Sequence, residues 1–157
     1  MKLSIGLTKE QREGVIGLLK STLADQYVLY TKTRNFHWNV TGPQFHDLHK
    51  LYESQYEAID DAIDETAERI RSLGGVSPGS LKEMLALARL KEAPGKALPG
   101  KDTTALLLAD HEAVIQQLRK DIVTAQEKFG DAGTSDYFTG LIQDHEKMAW
   151  MLRATLE

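Results

Sequence analysis

Apolar residues recur at steps of three and four along most of the chain, and this periodicity divides it into long amphipathic helices. In the first, Ile16, Leu19, Leu23, Tyr27 and Tyr30 share a face. Thr8 with Gln11 forms a capping-box signature at its start, and Gly42-Pro43 breaks the pattern just beyond Val40. The second runs from about Gln44 to Leu73, with Phe45, Leu48, Tyr52, Tyr56, Ile59, Ile63, Thr66 and Ile70 in its stripe, and Gly74-Gly75 stops it. The third begins near Thr103 and carries Leu108, His111, Ile115, Leu118, Ile122, Ala125 and Phe129 up to Gly130. The fourth begins near Thr134 and places Phe138, Leu141, His145, Met148 and Leu152 on one face. No alternating strand pattern competes. None of these helices is apolar all round, so each must bury one face against the others.

Residues 74–102 are too many for a tight turn. Ser80 with Glu83 is a second capping box, leading into the short apolar run Met84–Leu90, and Pro94-Gly95 and Pro99-Gly100 mark a loop. A connection of this length can cross the whole bundle, which lets the second and third helices run parallel. The expected fold is therefore all-α: four long helices, two short connections and one long crossover that contains a short extra helix. At 157 residues, 41% hydrophobic and 27% charged, the chain fits one domain over 1–157. No apolar run approaches the roughly 18–20 residues a membrane span needs. Lys9, Glu10, Arg12 and Glu13 follow the start too closely for a signal-peptide apolar stretch, so a cytoplasmic protein is expected.

Composition narrows the chemistry. With no cysteine in the chain, any metal must be held by nitrogen and oxygen donors. The second helix carries such donors in a stripe beside its apolar one. His49, Glu53, Asp64 and Glu68 fall within an arc of about 100°, with Glu57 and Asp60 inside it. A carboxylate stripe alone is usually a solvated face. Histidine changes that balance, and His37 lies shortly before, near the end of the first helix. Imidazole plus carboxylate suits iron(II) among other divalent ions. Yet His49 and Asp64 lie about 22 Å apart along one straight helix, at about 1.5 Å per residue. Metal–ligand bonds of about 2 Å cannot bridge that gap. Either the stripe holds two unrelated sites, or a two-fold axis near residues 58–59 brings His49 and Glu53 of one chain to Asp64 and Glu68 of another.

The segments Asn35-Phe36-His37-Trp38-Asn39-Val40, Leu48-His49 and Asp64-Glu65-Thr66-Ala67-Glu68-Arg69-Ile70, with Gly42 and Phe45 between them, closely resemble the signature of the Dps miniferritins. The resemblance extends over nearly the whole chain, to His145-Glu146-Lys147-Met148-Ala149-Trp150-Met151-Leu152. It implies a ferritin-like four-helix bundle and a ferroxidase site made of His37 and His49 from one subunit and Asp64 and Glu68 from its two-fold mate. A further acidic ligand, often Asp in the family, falls on Glu53, whose longer side chain changes the second iron position. The resemblance also implies two irons per site, a shell of twelve subunits, ferrous oxidation preferably by hydrogen peroxide rather than oxygen, and a ferric mineral core. Zinc takes the same donors and is expected to compete. Trp38, next to His37, is a candidate for taking up a stray oxidising equivalent, or simply an interface aromatic.

Other residues carry weaker signals. His111 and His145 point into the bundle by periodicity, but neither has Glu three residues before it, as intrabundle di-iron sites require. Core histidines are the expectation for both, and a surface histidine for His46. Asp136, and less clearly Asp131, resemble the acids of the family's iron-entry pores, although acids at a helix start also serve as caps. Asp144 is weaker still. The competing reading is a DNA-binding nucleoid protein of the same family. Only Lys2 precedes the Thr8 cap, Arg153–Glu157 adds no basic tail, and the net charge is −4, so DNA binding is expected to be weak.

Overall fold

The computed structural model describes residues 3–157. Helices α1 (Lys9–Asn39), α2 (Phe45–Ser72), α4 (Gly100–Val123) and α5 (Ala132–Ala154) form the bundle, and α3 (Leu81–Leu87) lies in the crossover. Both capping boxes close as the sequence requires. Thr8 accepts from Gln11 N while the Gln11 side chain accepts from Thr8 N, and Ser80 and Glu83 repeat the exchange. At Gly42 the backbone takes φ +115°, and at Gly74 it takes φ +83°. Both angles disfavour any residue with a Cβ, so these glycines end α1 and α2 where the pattern changes.

Hydrogen bonds fix the helix directions. Arg12 Nη1 reaches Leu73 O at 3.0 Å, and His37 meets His49, so α1 and α2 are antiparallel. Tyr52 Oη shares hydrogen bonds with Thr103 and Thr104 Oγ1 at 2.9 and 2.8 Å, joining the first half of α2 to the start of α4. Arg69 reaches Thr134 Oγ1 at 3.0 Å and Asp131 Oδ1 at 3.2 Å, joining the end of α2 to the turn after α4. Helices α2 and α4 therefore run parallel. The crossover that permits this climbs along α1: Gly75 sits against Ile16, Met84 is buried, Asp25 accepts from the Arg89 and Leu90 backbone N–H groups, and Asn35 Nδ2 donates to Ala93 and Pro94 carbonyls.

Three local features differ from the sequence expectation. A short parallel bridge pairs Val40–Thr41 with Leu98–Pro99, too brief to leave an alternating pattern. Helix α4 begins at Gly100, not Thr103; Leu48 packs so closely there that a Cβ at residue 100 would lie 2.4 Å from Leu48 Cδ1, which calls for glycine at the helix start. A π-helical segment, Thr124–Lys128, continues α4 before Gly130 at φ +66° ends it. The inward face of α4 is also rotated: Leu107, His111, Val114 and Leu118 are buried, while Leu108, Ile115 and Ile122 are only partly so.

The centre of the bundle is not wholly apolar. His111 and His145 are both buried, with their Nδ1 atoms 2.9 Å apart. One ring must donate and the other accept. Burial holds the His111 pKa well below its usual value and that of His145 at about 4, against an ordinary 6.5. A base whose folded-state pKa is depressed contributes stability that is complete above its unfolded value and is lost as pH falls through the folded one. Stability should therefore decline from pH 6.5 to about pH 4, by on the order of 3 kcal/mol per subunit from His145 alone. Urea titrations across that range should show a shallower decline for His111→Leu/His145→Leu than for the native chain. Identical pH slopes would remove the histidine pair as the cause.

Candidate metal centre

The end of α1 and the start of α2 are brought side by side by the Thr41–Gln44 turn. His37 lies in the last turn of α1, where carbonyls lack a following helical N–H. His49 lies about one turn into α2. Each imidazole reaches across to the backbone of the other: His37 Nδ1 is 2.7 Å from His49 O, and His49 Nδ1 is 2.8 Å from His37 O. A carbonyl only accepts, so both Nδ1 atoms carry the proton. In the neutral rings that leaves both Nε2 atoms as unprotonated lone pairs, the form in which imidazole binds a metal. The backbone carbonyls thus play the part that orients metal-binding histidines elsewhere.

Aromatic contacts hold the two rings in place. They stack on each other at 3.7 Å between centroids and 17° between planes. Phe45 stacks on the far side of His49 at 5.2 Å, and Tyr56 meets His37 edge-on at 5.3 Å. His37 is buried and His49 half-buried. The sequence placed Phe45 and Tyr56 in an apolar stripe, and Phe45 also in the family signature. Their spacing of four before and seven after His49 was the available signal that they share its face.

Glu53, one turn beyond His49, accepts from Lys50 Nζ at 3.1 Å. That hydrogen bond, then the Lys50 charge, lowers its pKa, so it is a carboxylate at neutral pH. Asp64 and Glu68 are exposed further along α2, on the far side of the helix midpoint from the imidazoles. Among the described residues no three His, Asp or Glu side chains within one chain converge on a common point. The structure thus brings His37 and His49 together, with Glu53 one turn along, and leaves Asp64 and Glu68 apart from them. A groove beside Asp64 is lined by Leu23, Tyr27, Asp60, Ile63 and Pro78, and encloses about 660 Å³.

The remaining candidates fall elsewhere. Trp38 is 61% exposed and its ring lies 5.2 Å from the Arg34 guanidinium. Asp131 is buried as the N-cap of α5, accepting from Thr134 N at 3.1 Å and from Arg69, so the capping reading describes it. Asp136 is exposed in the first turns of α5, and Asp144 lines a groove between α2 and α5 with Asp61 and Glu65. His46 is exposed, as expected. His111 and His145 are core residues, as expected.

Residues 16–157 match the family described as the ferritin-like domain. Over 90% of this chain and 96% of the relative, 41% of residues are identical to the DNA protection during starvation protein 2 of Bacillus anthracis. The chain belongs to the Dps family of ferritin-like proteins. An uncharacterized low temperature-induced protein of Nostoc sp. shares 47% identity over 99% of this chain and 87% of its own length. Among solved structures, Dps from Thermosynechococcus elongatus superposes with a TM-score of 0.88 at 33% identity, covering 94% of this chain and 93% of that one. The Dps protein from Bacillus brevis gives 0.89 at 32% identity, covering 96% and 100%. The Dps fold assigned from the sequence, with its short crossover helix, is therefore the fold observed.

The reciprocal imidazole–carbonyl contacts make a direct prediction for this Dps protein. In the metal-free protein at pH 8, solid-state nitrogen NMR should show His37 and His49 with the proton on Nδ1. Free histidine prefers the opposite tautomer, so rings protonated on Nε2 would contradict the arrangement.

Proposed function

We propose that this protein is an iron-storage and detoxification miniferritin. It oxidises Fe(II), preferably with hydrogen peroxide, at sites shared between two subunits, and holds the ferric product as mineral inside a hollow shell. Iron is its substrate and cargo. The observation that carries the reading is the pair of stacked imidazoles whose Nε2 lone pairs are left free by backbone hydrogen bonds. They sit on the same helix as a carboxylate pair that cannot reach them within one chain. A two-fold mate running antiparallel along α2 supplies Asp64 and Glu68 to His37, His49 and Glu53, and symmetry makes two such sites per dimer.

The donor set suits the task. Two neutral nitrogens and three carboxylates balance most of the charge of two ferrous ions, which a set of neutral donors would not. Two irons held together deliver two electrons to one peroxide: two Fe(II), one H₂O₂ and two protons give two Fe(III) and two waters. A lone ferrous ion delivers one electron and releases hydroxyl radical. Pairing the irons is thus the protective device, for the cell and for its DNA. Zinc, with the same ligand preferences, would occupy the site without redox turnover. The acidic Asp136, exposed near the start of α5, is proposed to line the entry route for iron through the shell, whereas Asp131 serves as the helix cap. The assembly is proposed to be a dodecamer in the cytoplasm, built from one ferritin-like domain over 1–157. No helix among the described residues is long and apolar enough to cross a membrane.

The net charge of −4 per chain works against retention on DNA, so binding to nucleic acid is the weaker reading. The test is ferrous oxidation followed by absorbance, comparing peroxide with oxygen, on protein sized in parallel by light scattering. Shells of about twelve subunits should oxidise Fe(II) faster with peroxide. His37→Ala/His49→Ala should assemble equally well yet lose at least about tenfold in rate, the usual scale for lost metal-site residues. A stable monomer, or a double variant as fast as the native protein, would overturn the proposal.

A further inference from the structure

We propose that Lys50 is a positioning residue for metal loading: its ammonium holds the Glu53 carboxylate in the metal-free protein and must be displaced before an ion can use that donor. The inference rests on the ferroxidase reading above, in which Glu53 serves the second iron position. Lys50 and Glu53 stand three residues apart on α2, and Lys50 Nζ donates to Glu53 Oε2 at 3.1 Å. Glu53 also lies near enough to His37 and His49 that positive charge on either imidazole lowers its pKa. Yet these three donors of one chain do not gather into a group that could hold an ion. The contact that occupies the carboxylate instead is the one to Lys50.

The ammonium is a monovalent cation tethered beside its own competitor's site. A short flexible tether presents it at an effective concentration on the order of millimolar. A free monovalent ion offers Glu53 no more charge than the ammonium does, so it gains little by replacing it. A divalent ion offers twice the charge, and it also bonds imidazole nitrogen, which an ammonium cannot. Lys50 thus selects by charge and by donor preference together. The lock also yields readily. Lys50 is exposed and Glu53 half-buried, so the lysine can turn out to solvent while the carboxylate keeps its place. Exposed ion pairs shift an equilibrium by no more than about fivefold, which sets the size of the effect.

The two halves of the donor set therefore start from different states. The imidazoles are already prepared: backbone carbonyls take both Nδ1 protons, and an ion reaching the Nε2 atoms displaces no charged group. An ion reaching Glu53 must first break its bond to Lys50. The position served by Glu53 is accordingly the weaker of the two in the native protein. Simple repulsion between an ammonium and nearby metal ions acts differently, because it weakens both positions together. Displacement weakens one position alone, and that asymmetry separates the lock from a general effect of positive charge.

The test is calorimetric titration of the assembled protein with cobalt(II), without any oxidant. The native protein should show a tighter and a weaker class of site. Lys50→Met keeps the aliphatic stem and removes the charge; it should tighten the weaker class by about fivefold and leave the tighter class within about twofold. Lys50→Arg, which restores a cation, should return the native pattern, and Glu53→Gln should abolish the weaker class. A weaker class unchanged in Lys50→Met overturns the lock, as does one that survives in Glu53→Gln. Equal tightening of both classes reduces Lys50 to general repulsion and overturns it too. All three outcomes leave the shared metal site standing. Native shells that bind no cobalt(II), or that bind it equally well in His37→Ala/His49→Ala, remove the ferroxidase reading and the lock with it.

Discussion

A straight α-helix rises about 1.5 Å per residue, and that rise governs this molecule. Helix α2 carries its imidazole near one end and its Asp64–Glu68 pair near the other. No rotamer closes the distance, so a complete set of donors requires a second chain. The packing of the bundle holds each half in a fixed place. The capping box and Gly42 set where α1 ends, and that end is where His37 meets His49. Leu48 packed against Gly100 pins the start of α4 beside the same turn.

The crossover matters for the same reason. By climbing along α1, from Gly75 at Ile16 to Pro94 at Asn35, it lets α2 and α4 run parallel. Asp25 secures it midway, accepting two backbone N–H groups and the Arg89 side chain. This charged junction ties the crossover to α1 and α4, and Ala58, Asp60, Asp61 and Asp64 of α2 remain exposed. The polar pair His111–His145 sits in the bundle centre instead, neutral and hydrogen-bonded to itself. It stands where an intrabundle metal site would need carboxylates, and among the described residues no group of three or more such donors gathers.

Much of this was legible in the sequence because periodicity and punctuation agreed. The faces of α2 and α5, both capping boxes and the glycine stops followed directly from residue spacing. The start of α4 was not legible: Gly100 reads as a breaker, whereas its glycine answers to the close contact with Leu48. The face of α4 was read nearly one residue out of phase, since Leu107 and Leu108, like Val114 and Ile115, are equally apolar neighbours. Two-residue strands are too short to show alternation. At the candidate site, spacing singled out His37 and His49, which the structure brings together, and Asp64 and Glu68, which it leaves apart from them. The lock between the imidazoles uses backbone carbonyls, which no residue pattern encodes. Arg34 had no motif to mark it, and its place among three aromatic rings emerges only when α1 and α2 pack.

The central claim is that each iron site is built across two chains, and hybrid assemblies test it most directly. One variant lacks both imidazoles (His37→Ala, His49→Ala), the other both acids (Asp64→Ala, Glu68→Ala), and each alone should be inactive. In a mixed dimer, one site collects both damaged halves and the other collects both intact halves. Co-expressed hybrids, confirmed by mass spectrometry, should therefore recover ferrous oxidation at one site in every mixed pair. Hybrids as inactive as the separate variants would contradict the shared site and place all the ligands within a single chain.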